Sequence, residues 1–483
     1  MKLKNSLIFN WIQIKFMLFT FLFIIGCEIN EDQEIKTETF QLNLIIKGEG
    51  TLSLPSGTYD ANSSLTLTAI PSDGYYFDQW IGLEEKIETL SITITLNQNR
   101  ELTAIFLPIP ELSPEVVQFI PKKIDTLPVF MIENGGQTAY LTDKTGIKLK
   151  VWNFDSKLGN DIELLPDGSI MALFKPDNIS IPFGGYGGIL RKIDDTGNIL
   201  WEYELNTEYE LLHHDFLIMP NGNVLVMVWE KIFGQEYDAL GYSGSGPVVI
   251  EKIIEIDPTT NNIVWQWRMA DHTIQEFNSD KENYGPVAEY PQKIDINYIV
   301  RDDGDLTHAN GIYYDQNRDL IYLSVNFFSE VWVIPHNYST EETATELGDL
   351  RFRFGNPQAY KGQGERLFFS NHHPTLVEFD PETKGNFLIY MNGTKDEQSI
   401  VYEFSLPQNF DTNPLNWTTP QVVWSFTNTD LYNGKISGAY RLPNGNTLIC
   451  EGDFGYWEVN REGQILWKYK NEETTFWRGY VYP

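Results

Sequence analysis

Two cysteines in 483 residues leave almost no room for disulfide chemistry. One of them, Cys27, sits in a leader-like segment, so only Cys450 remains for the folded chain and no intramolecular bridge is expected. Positive charge is equally scarce: 35 Lys and Arg stand against 67 Asp and Glu, a net charge of −32. Nucleic-acid binders need a basic stripe, so this balance excludes that class, and it argues against direct binding to an anionic membrane surface. An anionic ligand could be held only by a local cluster of donors that overcomes the long-range field. No His-Glu-x-x-His pattern and no catalytic serine motif occurs, so no metal site is expected. Histidine itself is rare, with seven copies. Where those seven fall therefore carries information.

The N-terminus reads as a targeting segment rather than structure. Lys2, Lys4 and Lys15 precede an apolar stretch from Phe16 to Ile25. At about ten residues it is too short to span a bilayer. It ends in Ile24-Ile25-Gly26-Cys27, which resembles a lipobox. The expectation is a lipoprotein signal over 1–26, lipidation of Cys27, an acidic tether over 27–38, and a lipid-anchored protein of the cell envelope, at the outer membrane. Cys450 lies in an apolar strand pattern, Thr447-Leu448-Ile449-Cys450, and reads as a small core residue.

Five of the seven histidines fall in three motifs: Leu212-His213-His214-Asp215, Thr307-His308-Ala309-Asn310 and Asn371-His372-His373-Pro374. Each is followed by an apolar run, a polar turn and a second apolar run, which reads as a β-hairpin. His213, His308 and His373 each stand seven residues before the turn, at Pro220, Asp315 and Asp380. At about 3.3 Å per residue this places the imidazoles roughly 20 Å from the turns, at one common end of the strands. The same turn recurs at Leu165-Pro166-Asp167-Gly168 and Leu442-Pro443-Asn444-Gly445, where Gly159 and Ile436 occupy the histidine register. The fold thus does not require histidine. Second halves ending in Trp recur at Ile199-Leu200-Trp201, Ile263-Val264-Trp265-Gln266-Trp267 and Ile465-Leu466-Trp467. Repetition of four-strand units at roughly 50–60 residues is the mark of a β-propeller.

The Thr307-His308-Ala309-Asn310 motif, His213-His214-Asp215 before its Pro-Asn-Gly turn, Trp265-Gln266-Trp267 with Asp271-His272, and Trp477-Arg478-Gly479-Tyr480 together resemble the bacterial arylsulfotransferases from about Pro128 to Pro483. The resemblance implies a six-bladed β-propeller over 108–483. It also implies an enzyme that moves a sulfuryl group from a phenolic sulfate ester to a phenolic acceptor without an adenylyl-sulfate cofactor, by a ping-pong route through a sulfohistidine. Carried over by motif, the nucleophile is His372, or His373 if the repeat register is the better guide. His308 would orient the sulfuryl oxygens with Asn310 donating to them, and His213 or His214 would complete the acid–base set. Where the family carries an Arg in the following strand, this chain reads Leu323-Ser324-Val325-Asn326, so Asn326 or Arg478 would have to serve the sulfate. Neutral imidazole suits the nucleophile's role, because its pKa lies near 6.5.

Residues 39–107 are a separate region of short alternating strands, including Leu65-Thr66-Leu67-Thr68 and Gly74-Tyr75-Tyr76-Phe77. They resemble the internalin-type B repeat and imply a small all-β spacer, with Pro108, Pro110 and Pro114 as linker. Gly184-Gly185-Tyr186-Gly187-Gly188 lacks the Lys-Ser/Thr of a phosphate loop and reads as a propeller loop. Asp302-Asp303-Gly304-Asp305 reads as a solvated turn, His272 as a rim residue and His336 as exposed. The competing reading is a non-catalytic surface propeller that binds a glycan or protein through its funnel.

Overall fold

The structure is a computed structural model that describes residues 37–482; the leader, Cys27 and nearly all of the tether lie outside the described residues. The chain divides into two compact units between Pro108 and Ile109. In the first, a four-stranded sheet (Gly57–Asp60, Thr39–Lys47, Arg100–Pro108, Tyr75–Ile81) accompanies a three-stranded one (Gly50–Leu52, Ser63–Pro71, Ser91–Leu96). Strict alternation in Ser91–Leu96 turns Ile92, Ile94 and Leu96 into a core with Leu42, Leu67, Trp80 and Phe106.

The second unit contains six sheets of the propeller type, met in chain order. The leading strands of the second to sixth are Leu158–Leu164, Glu210–Ile218, Ala309–Asp315, Asn371–Leu376 and Gly438–Arg441. The first sheet takes its inner strand from the C-terminus: Phe476–Val481 pairs with Val129–Glu133. Each inner strand packs on the next, and Leu158–Leu164 packs back on the first sheet, so the series closes into a ring. The N-terminal side contributes as well. Val116–Phe119 pairs with Ile465–Lys470 on the outer edge of the sixth sheet, so the propeller includes residues ahead of Pro128, where the motif resemblance starts. Covering both edges in this way leaves fewer unpaired backbone groups.

The recurring sequence signals each have a structural cause. Gly168, Gly222 and Gly445 stand at φ +82°, +85° and +84°, which glycine adopts without steric cost. The Asp or Asn before each glycine accepts from the backbone two residues on: Asp167 from Ser169 N at 2.9 Å, Asn221 from Asn223 N at 2.9 Å, Asn444 from Asn446 N at 3.0 Å. The outer-strand tryptophans fasten one sheet to the next. Trp201 donates to Asn261 Oδ1 at 2.6 Å, Trp265 to Tyr338 O at 3.0 Å, Trp424 to Arg461 O at 2.8 Å and Trp467 to Lys144 O at 2.8 Å. Cys450 is buried in its strand.

Five of the six inner strands share one irregularity. Asn160, His214, His308, His373 and Ser437 all have positive φ, between 45° and 104°; the first four are at or beside a break in strand register, and Ser437 immediately precedes its strand. Non-glycine residues in this region store strain on the order of 1–3 kcal/mol, which packing must hold in place. This backbone register groups His214 with His308 and His373. The turn-counting register had grouped His213 with them, because the Pro-Asn-Gly turn is reached one residue sooner.

Candidate active site

His213 and His214 leave the third sheet at its bulge, both buried. Glu251, from the third strand of the same sheet, accepts from His213 Nε2 at 2.9 Å. Its other oxygen accepts from Thr307 Oγ1 at 2.9 Å and Ala309 N at 3.0 Å, on either side of His308. His213 and His214 face each other Nδ1 to Nδ1 across 2.9 Å, so a single proton between them makes that hydrogen bond. The His213 ring is clamped flat against Trp229, with centroids 4.1 Å apart. The glycine-rich segment does not cradle phosphate: it packs on His214. His214 N donates to Gly185 O at 2.8 Å, and a Cβ at Gly185 would lie 2.0 Å from the imidazole Nε2. Glycine is required there by close approach as well as by its φ of +84°.

His308 lies with its centroid 4.9 Å from that of His214 and stacks on Phe327 at 4.9 Å. Its Nδ1 donates to Asp305 Oδ2 at 2.5 Å, which orients Nε2 away from the carboxylate. Asp305 is buried, so the Asp302–Asp305 segment is not simply a solvated turn: its last member holds His308. Spacing of Asp and His by three was the available signal, and reading the four residues as one turn obscured it.

His372 and His373 part company. His372 and His214 approach Trp477, at 6.1 Å and 5.9 Å. Asn392 donates its amide to Asn433 O at 2.7 Å and Ile436 O at 2.9 Å, which fixes its orientation. Its Oδ1 therefore accepts from His372 Nδ1 at 2.6 Å, and the Nε2 of His372 carries the lone pair. Burial pushes the His372 pKa down to about 3, keeping that lone pair unprotonated. Burial, with His308 next in effect, also holds His214 well below its ordinary value. His373 instead packs on Gly438 and Tyr480 and lines the cavity at the other end of the inner strands. The structure thus brings His213, His214, His308 and His372 together and turns His373 away.

The three expected anion donors have other engagements. Arg478 is buried, donates to Asp215 Oδ2 at 2.7 Å and to Asn310 O at 2.7 Å, and lines the same far cavity as His373. Asn310 spends an amide hydrogen on Asn371 O at 2.8 Å. Asn326 reaches the same carbonyl at 3.5 Å and lines a second cavity of about 430 Å³ with Phe327, Ser329, Ser370, Arg301 and Arg366. The two arginines were not singled out by motif, because they lie in loops outside the repeated strands.

The remaining histidines are structural. His272 is buried, donates to Asp349 at 2.9 Å and stacks on Trp267. His336 is not exposed: it is held between Glu255 and Asp319 at 2.9 and 2.8 Å. Burial opposes its charge, but these two hydrogen bonds outweigh burial and raise its pKa. Among the described residues no group of three or more His, Cys, Asp or Glu is arranged to hold a metal ion, and no helix is long and apolar enough to cross a membrane.

A family model described as "Arylsulfotransferase (ASST)" matches residues 118–476, and one described as "Divergent InlB B-repeat domain" matches residues 41–110. The chain therefore belongs to the arylsulfotransferase family, with an InlB-type B-repeat domain ahead of the propeller. No curated protein matches it. Similar solved structures include the β-propeller domain of Cps50 (Swd1) from Myceliophteria thermophila (9% identity, 76% of this chain and 89% of that one, TM-score 0.32). Apo AztD from Citrobacter koseri is another (11% identity, 72% and 83%, TM-score 0.32). The architecture itself rests on the chain's own ring of sheets.

Proposed function

We propose that this member of the arylsulfotransferase family transfers a sulfuryl group from an aryl sulfate to a phenol through a sulfohistidine on His372, with no adenylyl-sulfate cofactor. The observation that carries the assignment is Asn392: its fixed amide makes His372 the Nδ1–H tautomer with a free Nε2 lone pair. That lone pair attacks sulfur as the ester S–O bond breaks. The departing phenolate takes a proton from Nε2–H of protonated His308, whose Nδ1 is held by Asp305. In the second half, His308 takes the proton of the acceptor phenol. The phenolic oxygen then attacks sulfur, and the N–S bond breaks to regenerate neutral His372. His214, linked through His213 to Glu251, stands beside His308.

Incubation with a chromogenic aryl sulfate should release phenol faster when an acceptor phenol is added, and a ³⁵S-labelled donor should leave label on His372 when the acceptor is withheld. A folded protein that releases no phenol and gains no label would favour the glycan- or protein-binding reading. The lipobox-like segment ending at Cys27 supports anchoring in the cell envelope, at the outer membrane. Cys27→Ala should shift the protein from the membrane fraction to the soluble one.

A further inference from the structure

Four observations converge on the cavity beside His308. Its walls come from the loop over Tyr298–Arg301, the turn Asn326–Ser329 of the fourth sheet, and the approach to the fifth sheet through Arg366 and Ser370. Phe327, on which His308 stacks, is part of the wall. Of the two arginines lining it, Arg301 is neutralised: Nε donates to Asp303 at 2.9 Å, and Nη2 donates to the other oxygen of the same carboxylate at 2.5 Å. Arg366 differs. Its Nε donates to Phe368 O and its Nη2 to Ser329 Oγ, each at 2.8 Å, and among the described residues no carboxylate pairs with it.

The support beneath Arg366 is buried and fully connected. Ser329 is buried; its Oγ accepts from Arg366 and from Ser370 N at 3.0 Å, and donates to Asn326 O at 3.3 Å. One hydroxyl thus ties the guanidinium to Asn326 and to the start of the strand that carries His372. Two of the five N–H donors of Arg366 go to neutral oxygens, and the rest are available. Of the other candidate cations, Arg478 is committed to Asp215 and His308 is paired with Asp305, while burial holds the interior imidazoles of His214 and His372 to the neutral form. In a chain of net charge −32, an anion needs such a local cation to approach at all.

We propose that Arg366 is the sulfate-recognising residue, its guanidinium gripping the oxygens of the donor ester in the cavity formed with Asn326, Ser329 and Ser370. This rests on the sulfuryl-transfer reading above. A planar guanidinium meets two oxygens of a tetrahedral monoanion with charge-assisted hydrogen bonds, which a lone amide such as Asn326 cannot replace.

The test is Arg366→Gln in the full chain, with Arg366→Lys and Arg301→Gln beside it and folding checked by thermal unfolding. For Arg366→Gln, KM for the aryl sulfate should rise about tenfold to a hundredfold, the range for losing a hydrogen bond to a charged group. KM for the acceptor phenol should stay unchanged. Lysine should rescue part of the loss, and Arg301→Gln should have the smaller effect. Inorganic sulfate, titrated by calorimetry, should bind the native chain more tightly than Arg366→Gln by a similar factor. An active enzyme whose donor KM ignores Arg366→Gln would overturn the proposal and leave sulfuryl transfer standing. If no variant, native included, releases phenol, the transfer reading fails first, and equal sulfate binding by native and Arg366→Gln chains would then overturn the anion site as well.

Discussion

The two ends of the propeller's inner strands are built from the same repeat and have opposite chemistry. At the end where the strands begin, imidazoles are held by Glu251, Asp305 and Asn392 in defined tautomers, next to the cavity of Arg366. Where they finish, a cavity of about 640 Å³ is walled by all six sheets, with Tyr313, Tyr440, Tyr480 and Tyr482 and the carboxylates Asp161, Glu163 and Glu378. Burial pushes Glu163 up to about 7, and Tyr313 donates to Glu378. Asp161, Asp215 and Arg478 separate the two ends as a buried ionic layer, with Trp477 and Tyr480 donating to Asp161. The lesson is that strand register alone does not make a site. Each reactive imidazole has a side-chain partner on its ring nitrogen, whereas the Nδ1 of His373 has none and its ring points to the far end.

The sharpest test of that contrast is a pair of neighbours. His372→Ala should abolish phenol release, whereas His373→Ala should keep most of it; equal losses would mean that the two ends are not chemically distinct. Next in size, Asp305→Asn and Asn392→Ala should each lower kcat on the order of 10- to 100-fold while the fold survives, as expected for groups that orient a reacting imidazole. An unchanged kcat in Asn392→Ala would remove the tautomer argument for His372.

The ionic layer between the ends predicts a stability effect. Asp215 accepts from Arg478, Ile312 N and Phe216 N. Asp215→Ala would strand a buried guanidinium and should cost about 3–5 kcal/mol in chemical denaturation. Little change would show that Asp161 alone can hold Arg478. The smallest effect is a pH profile. His214, His372 and His373 have depressed pKa values in the folded chain, each chiefly through burial. Their contribution to stability is therefore full above about 6.5, the unfolded value, and is lost as pH falls below it, for His372 down to about 3. His336 has the opposite sign: its raised pKa stabilises fully below about 6.5, and that contribution is lost as pH rises through the folded value. Denaturation midpoints of His372→Asn and His336→Asn against pH should separate the two trends. Parallel curves would contradict both assignments.

Much of the fold was legible because its signals are local. A Pro-Asn-Gly turn states its own φ requirement, and a Trp at the end of a fourth strand marks where one sheet meets the next. The His motifs were legible as a group for the same reason. Their partners were not. Glu251 lies 38 residues from His213 and Asn392 lies 20 from His372, one within and the other just past a strand whose sequence looks like any other apolar run. Arg366 sits in a loop with no repeat to flag it.

By itself, then, the sequence determined an all-β chain of two parts, a propeller of repeated hairpins, and histidines gathered near the start of three inner strands, since turn chemistry and strand alternation act over a few residues. Only the tertiary structure decided which face each imidazole takes. A bulge with positive φ can redirect a side chain without changing the pattern around it, as at His308 and His373. It also decided which nitrogen bears the proton and that Arg366 has no carboxylate beside it among the described residues, because hydrogen bonds and ion pairs depend on groups that closure of the ring brings within about 3 Å from distant parts of the chain.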